Sequence, residues 1–377
     1  MPRVATALPV AVQDQDQDKV QDRIQGEAFR RSALKSEKLH QLGLPLNIKL
    51  AENFRAVFYA PFYATHALGL FAEQGVTITL LDSASPGAGI AELAKGNIDV
   101  MWGGPLRVIK ERDQFERTEG SLVAFCEVAA KDPFFLVRRR QSPRTSTRSL
   151  DRVNELSHSG KESAADLAVN QNQQSQPFTL KDLVGLRFAS VSEVPTPWLC
   201  LQQDLRDAGV DPTKLDRVAD RSMQENLDAL ISGEFDVIQV FEPYVSLALA
   251  HDDLEVVHAA SQRGYTAYTT FISTFEGMQR NQTGFETMIL AIEQFRPWLA
   301  VHGPDELARV VKPFYPHLDL EVLTQCLRRY HAAELWTCRR AISRQGFARL
   351  AASMLDSGYI KQVARYEDCV AASAYEG

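Results

Sequence analysis

Three short segments carry the residue types that could hold a small molecule. Met101-Trp102-Gly103-Gly104-Pro105 sets a large flat indole beside two glycines, whose missing side chains let backbone approach a guest closely. Ser83-Ala84-Ser85-Pro86-Gly87-Ala88-Gly89 leads into a predicted helix, where unpaired N–H groups favour an anionic oxygen; Ser85 and Gly87 are its candidate contacts. Ser190-Val191-Ser192-Glu193-Val194-Pro195-Thr196-Pro197-Trp198 plays the matching part further on. There Thr196 is placed to cap the helix that Pro197 starts, while Ser192 and Trp198 can hydrogen-bond and stack. Asn53 and Phe58 follow the first predicted strand, and Tyr63, Glu242 and Tyr244 complete the expected lining. Each also has a plain structural reading: serines as caps, Trp102 as core, Arg55 and Arg107 as solvated charges rather than anion partners.

These residues need elements to position them, and the hydrophobic pattern supplies a βα alternation. Leu46 to Leu50 and Val76 to Leu81 read as strands around a helix from Pro61 to Glu73. Helix Gly89 to Lys95, strand Ile98 to Trp102, a helix from Pro105 and strand Leu122 to Val128 continue the series. After a polar break the rhythm resumes with strand Leu186 to Val191, helix Pro197 to Ala208, strand Leu215 to Val218, helix Met223 to Ile231 and strand Val237 to Phe241. Strands near 254–258 and 266–274 follow, and everything from Phe285 onward reads as helical. Connections this long exclude hairpins, so the expected class is α/β with parallel units. The candidate residues fall where such strands end and helices begin, the usual place for a ligand on an open parallel sheet.

A chain of 377 residues exceeds one ordinary core, so two lobes are expected. Residues 1–45 read as a disordered tail, 46–138 with about 259–377 as lobe one, 139–176 as a disordered insertion, and 177–258 as lobe two. The formal charge of −7, without a dense basic face, argues against a nucleic-acid partner. Five cysteines without a CxxC pair fit neither a disulfide framework nor a zinc site and read as reduced, mostly buried thiols. No cofactor or metal is expected.

Several motifs, read in order, resemble the SsuA/THI5 (NMT1/THI5) family of solute-binding proteins and pyrimidine-precursor synthases. Ala60 to Val76, with its Glu73-Gln74-Gly75-Val76 ending, is similar to the family's first helix and its lead into strand two. Leu93-Ala94-Lys95-Gly96-Asn97-Ile98-Asp99 and Leu230-Ile231-Ser232-Gly233-Glu234-Phe235-Asp236 both resemble its "L-x-x-G-x-x-D" step. Glu242-Pro243 resembles its "x-E-P" strand end, and Ile342-Ser343-Arg344-Gln345-Gly346 with Gly358-Tyr359-Ile360 resembles its C-terminal pattern. The resemblance covers about 46–370 without the insertion. It implies a two-lobed fold of the type II periplasmic-binding-protein kind, with a helical C-terminal region. It also implies capture of a small organic ligand, anionic or pyrimidine-like, in a cleft between lobes.

The alternative is an enzyme on the same fold. The thiamin-pyrimidine synthase pattern implies a lysine near Gly103, a histidine near Arg107 and a cysteine run near 264–273; this chain has none of them, so that activity is not expected. A desulfinase- or decarboxylase-like reaction would rest on Cys200, near a helix start that lowers thiol pKa, against the plainer reading of a buried helix cysteine. His66, inside the first helix, reads as a surface or partly buried side chain. No catalytic residue is assigned.

The first residues have only Arg3 ahead of a weak apolar stretch, followed by the polar run 13–19, which is unlike a secretory leader. The expected compartment is therefore the cytosol, or the periplasm if the true start lies upstream. An ABC-type permease is the expected partner if the chain is exported; the oligomeric state is left open.

Overall fold

A computed structural model describes residues 46–83, 85–140 and 177–371. The expected tail at 1–45 and nearly all of the expected insertion at 139–176 lie outside the described residues. Eleven strands are present among those described: β1 (Leu46–Ala51), β2 (Val76–Leu81), β3 (Val100–Gly103), β4 (Leu122–Ala129), β5 (Phe135–Arg139), β6 (Arg187–Ala189), β7 (Asp216–Val218), β8 (Val237–Val240), β9 (Leu254–Ala259), β10 (Thr269–Thr274) and β11 (Trp336–Arg339). They form a six-stranded sheet, β11-β4-β10-β3-β1-β2, and a five-stranded sheet, β7-β6-β8-β5-β9.

The chain divides into two compact units. Among the described residues, the first holds those up to Phe134, Glu193–Gln203 and those from Ala260 onward; the second holds those within Phe135–Ser192 and Asp204–Ala259. Two boundaries therefore differ from the sequence reading. Residues 135–138 belong to the second unit, because β5 pairs with β8 and β9. The helix Thr196–Asp207 belongs to the first unit as far as Gln203, because Leu199 and Cys200 are buried in its core cluster with Met101, Leu106 and Leu350.

In the first unit β1 runs parallel to β2 and β3, while β10 lies antiparallel between β3 and β4. All eight residues of β4 are buried, as a strand covered on both faces requires. The predicted helix from Pro61 to Glu73 is two helices, Ala60–Ala67 and Leu70–Glu73, since Gly69 adopts φ 74° between them. The helix Gln282–Glu293 lies tight on β1: a β-carbon on Gly284 would stand 2.8 Å from Ile48 Cδ1. The C-terminal third is not purely helical. Trp336–Arg339 adds β11 to the edge of β4, and its indole N–H donates to the Phe58 carbonyl at 2.8 Å.

In the second unit β6 runs parallel to β7 and β8, and β5 lies antiparallel between β8 and β9. The helix Met223–Ser232 covers it, started by a Ser222/Glu225 capping box and stopped by Gly233 at φ 81°.

Candidate functional site

The predicted lining divides between the units. Asn53, Phe58, Tyr63, Ser85, Gly87, Trp102, Gly103, Gly104, Thr196 and Trp198 fall in the first, and Ser192, Glu242 and Tyr244 in the second.

In the first unit the tips of β1, β2 and β3 meet at Asn53. Its Oδ1 accepts the Gly87 N–H at 2.8 Å and Arg107 Nη2 at 3.1 Å, and its Nδ2 donates to the Tyr59 hydroxyl at 3.2 Å. One carboxamide thus ties together the end of β1, the loop after β2 and the helix Leu106–Gln114 that follows β3. Gly87 makes the arrangement feasible: it sits at φ 84°, and a β-carbon there would lie 3.2 Å from Arg107 Nη2. Gly103 belongs to the same cluster, with Asn53 Cγ 3.8 Å from its would-be β-carbon, while Gly104 faces the Tyr268 carbonyl.

Below the tips lies an aromatic floor. Phe58, Tyr63 and Trp102 are buried, and Trp102 is stacked on Phe62 with centroids 4.5 Å apart and planes 12° apart. The indole face expected to be open for stacking is therefore covered, and Trp102 belongs to the core. Burial pushes the Tyr59 hydroxyl up to about 12, so it keeps its proton at neutral pH. Tyr63 is pushed up further by burial and donates a short hydrogen bond to buried Glu52.

The two cations on these tips are not equivalent. Arg55, an exposed loop residue, lies 3.2 Å from Glu52 and 2.6 Å from Asp82, so its charge is already met within the protein. Arg107, half-buried, forms no ion pair among the described residues, and its Nε is buried without a hydrogen-bond partner. Sequence reasoning weighed Arg107 but left it out of the lining; the glycine pair three residues before it was the available signal.

Other predicted residues sit differently from expectation. Ser85 is exposed, and its carbonyl accepts Ser83 Oγ at 2.8 Å. Thr196 is the first residue of its helix instead of the cap before it, with the Leu199 N–H bonded to the Pro195 carbonyl. Trp198 is half-buried on the first turn. Cys200 is fully buried, which removes it from solvent and any substrate; all five cysteines are buried free thiols. Burial pulls the His66 imidazole down, and its ring lies edge-on to Phe314.

The second unit's tips are built from other groups. Ser190 Oγ accepts Arg217 Nη1 at 2.6 Å, and buried Asn226 donates to the Ser190 carbonyl at 3.4 Å. Burial depresses the Arg217 guanidinium. Ser192 Oγ donates to the Arg221 carbonyl at 2.7 Å. Glu242, fully buried at the end of β8, accepts the Ser246 N–H at 2.9 Å, and half-buried Tyr244 stands beside Phe241. Arg217 and Asn226 were missed. Asn226 had a readable signal: it is a polar residue at an apolar helical register with Met223, Leu227 and Leu230.

Comparison with known proteins follows the same lines. The model of the NMT1-like family matches residues 54–263. "Putative binding protein YtlA" of Bacillus subtilis (strain 168) is 20% identical over 328 residues, covering 86% of this chain and 87% of that protein. The periplasmic aliphatic sulphonate binding protein SsuA from Escherichia coli has a TM-score of 0.62 at 12% identity, with 87% of this chain and 98% of that one covered. A ligand binding component of an ABC-type import system from Staphylococcus aureus has a TM-score of 0.59 at 12% identity, covering 88% and 98%. The fold is that of the periplasmic binding proteins. These neighbours overturn the cytosolic placement, since they are periplasmic or serve an import system.

Proposed function

For a chain that belongs to the NMT1-like family, we propose reversible capture of a small organic anion, a carboxylate or sulfonate, on the strand tips of the first unit, without chemical conversion of the guest. The observation that carries this is Arg107: a cation at the tips, next to the Gly87 N–H, with no carboxylate paired to it among the described residues. A half-buried charge in that state gains most from an anion that brings its own oxygens. The aliphatic sulphonate named for the E. coli structure supports the ligand class, and the import system named for the S. aureus structure supports delivery to an ABC-type permease outside the cytoplasm.

Isothermal titration with ethanesulfonate and benzoate tests it. Arg107→Gln is expected to weaken binding about 100-fold, the scale of a charge-assisted pair, whereas Arg55→Gln stays within about tenfold of wild type. Wild-type affinity in Arg107→Gln, or release of a product from either probe, contradicts the reading.

A further inference from the structure

We infer that the Asn53 carboxamide oxygen is an intramolecular stand-in for a ligand oxygen: it occupies the Gly87 N–H and Arg107 Nη2 donors that an incoming anion must take, and yields them on binding. The inference rests on the anion-capture reading above and adds to it a built-in competitor that sets affinity.

Three observations lead there. The Asn53 oxygen receives two donors from different elements, a backbone N–H at 2.8 Å and a guanidinium nitrogen at 3.1 Å, converging as they would on one oxygen of a carboxylate or sulfonate. The competitor is neutral. A carboxylate at this place would hold Arg107 permanently, as Glu52 and Asp82 hold Arg55. A carboxamide keeps the donors oriented and satisfied but forms a weaker bond than a charged guest does, so exchange favours the guest. Finally, the amide's other end holds only one partner, the Tyr59 hydroxyl, at 3.2 Å. One long hydrogen bond is a modest restraint on rotating the side chain away.

The stand-in and a purely scaffolding Asn53 differ in the sign of one measurement. In titrations with ethanesulfonate, Asn53→Ala removes the competitor and is expected to bind about fivefold to tenfold more tightly than wild type, whereas loss of a scaffold weakens binding. Asn53→Asp installs a permanent partner for Arg107 and is expected to weaken binding about 100-fold or more. Unchanged or weaker binding by Asn53→Ala, with thermal unfolding showing it folded, overturns the inference. Should that variant not fold, Asn53→Ser, whose shorter side chain withdraws from Arg107, carries the same expectation and the same contrary result. Arg107→Gln separates the two layers: if it binds like wild type the anion reading itself fails, while if it loses binding and Asn53→Ala does not tighten it, only the stand-in fails. A wild-type protein that gives no binding heat with ethanesulfonate or benzoate overturns both.

Discussion

Two sheets in this chain share a plan and differ in what they do with charge at their tips. β2-β1-β3-β10-β4 and β7-β6-β8-β5-β9 are the same sequence of three parallel strands followed by an inserted antiparallel one and its neighbour. After β8 the buried acid Glu242 is engaged by its own helix, through the Ser246 N–H. After β3 the corresponding helix start carries Arg107, whose acceptor is a neutral amide. On a common backbone plan, the acid after β8 is thus engaged by its own helix, whereas the cation after β3 meets a neutral amide. The second arrangement is the one on which the proposed anion capture rests.

Variants can break that comparison. The largest effect belongs to a buried cation whose partner is in place: Arg263 and Asp132 lie 2.6 Å apart with side chains 7% and 0% exposed. Asp132→Ala removes the buried carboxylate that faces the guanidinium and accepts the Phe134 N–H, and a cost of about 3–5 kcal/mol in denaturant unfolding is expected. Arg107→Gln, by contrast, removes a charge without such a partner and is expected to change stability by less than about 1 kcal/mol. Equal losses for the two variants erase the distinction.

Next in size is Gly87→Ala. The left-handed backbone and the 3.2 Å approach to Arg107 Nη2 are both unfavourable for a methyl group, so a loss of about 1–2 kcal/mol is expected, together with weaker anion binding as Arg107 is displaced. Ser190→Ala probes the other sheet. It removes the hydroxyl that accepts from Arg217 and is expected to cost about 1–2 kcal/mol, the scale of a hydrogen bond to a charged group, leaving anion affinity on the first unit unchanged.

The smallest effect is in pH dependence. Glu293 is held above its ordinary value of 4.5 by burial, against the opposing pull of Arg340. The folded state therefore binds more protons than the unfolded chain in the window just above pH 4.5, and stability falls as pH rises through it. Glu293→Gln is expected to flatten that decline in chemical unfolding measured from pH 4 to pH 7. A steeper slope in the variant contradicts the sign.

Much of the framework was legible because βα alternation is written locally, in runs such as Val76-Thr77-Ile78-Thr79-Leu80-Leu81 and stops such as Gly96 and Gly233. What escaped depended on distant partners. β5 reads as the end of the first lobe until its pairing with β8 and β9 is known, and β11 is four residues among helices, held by β4 and the Phe58 carbonyl. The candidate site shows the same divide. Residue type drew attention to Asn53, Gly87 and Gly103, which lie together at the strand tips. It overrated Trp102, because a large aromatic at a strand end reads alike whether Phe62 covers it or not. It gave Arg107 no place in the lining, because whether a carboxylate stands beside a charge is a three-dimensional fact, and among the described residues none pairs with this one.

The most direct test of the central claim is a crystal structure of the protein grown with ethanesulfonate. The account predicts the sulfonate within hydrogen-bonding distance of Arg107 and the Gly87 N–H, with the Asn53 oxygen turned away from both. A sulfonate bound elsewhere, with Asn53 still bonded to Arg107, contradicts it.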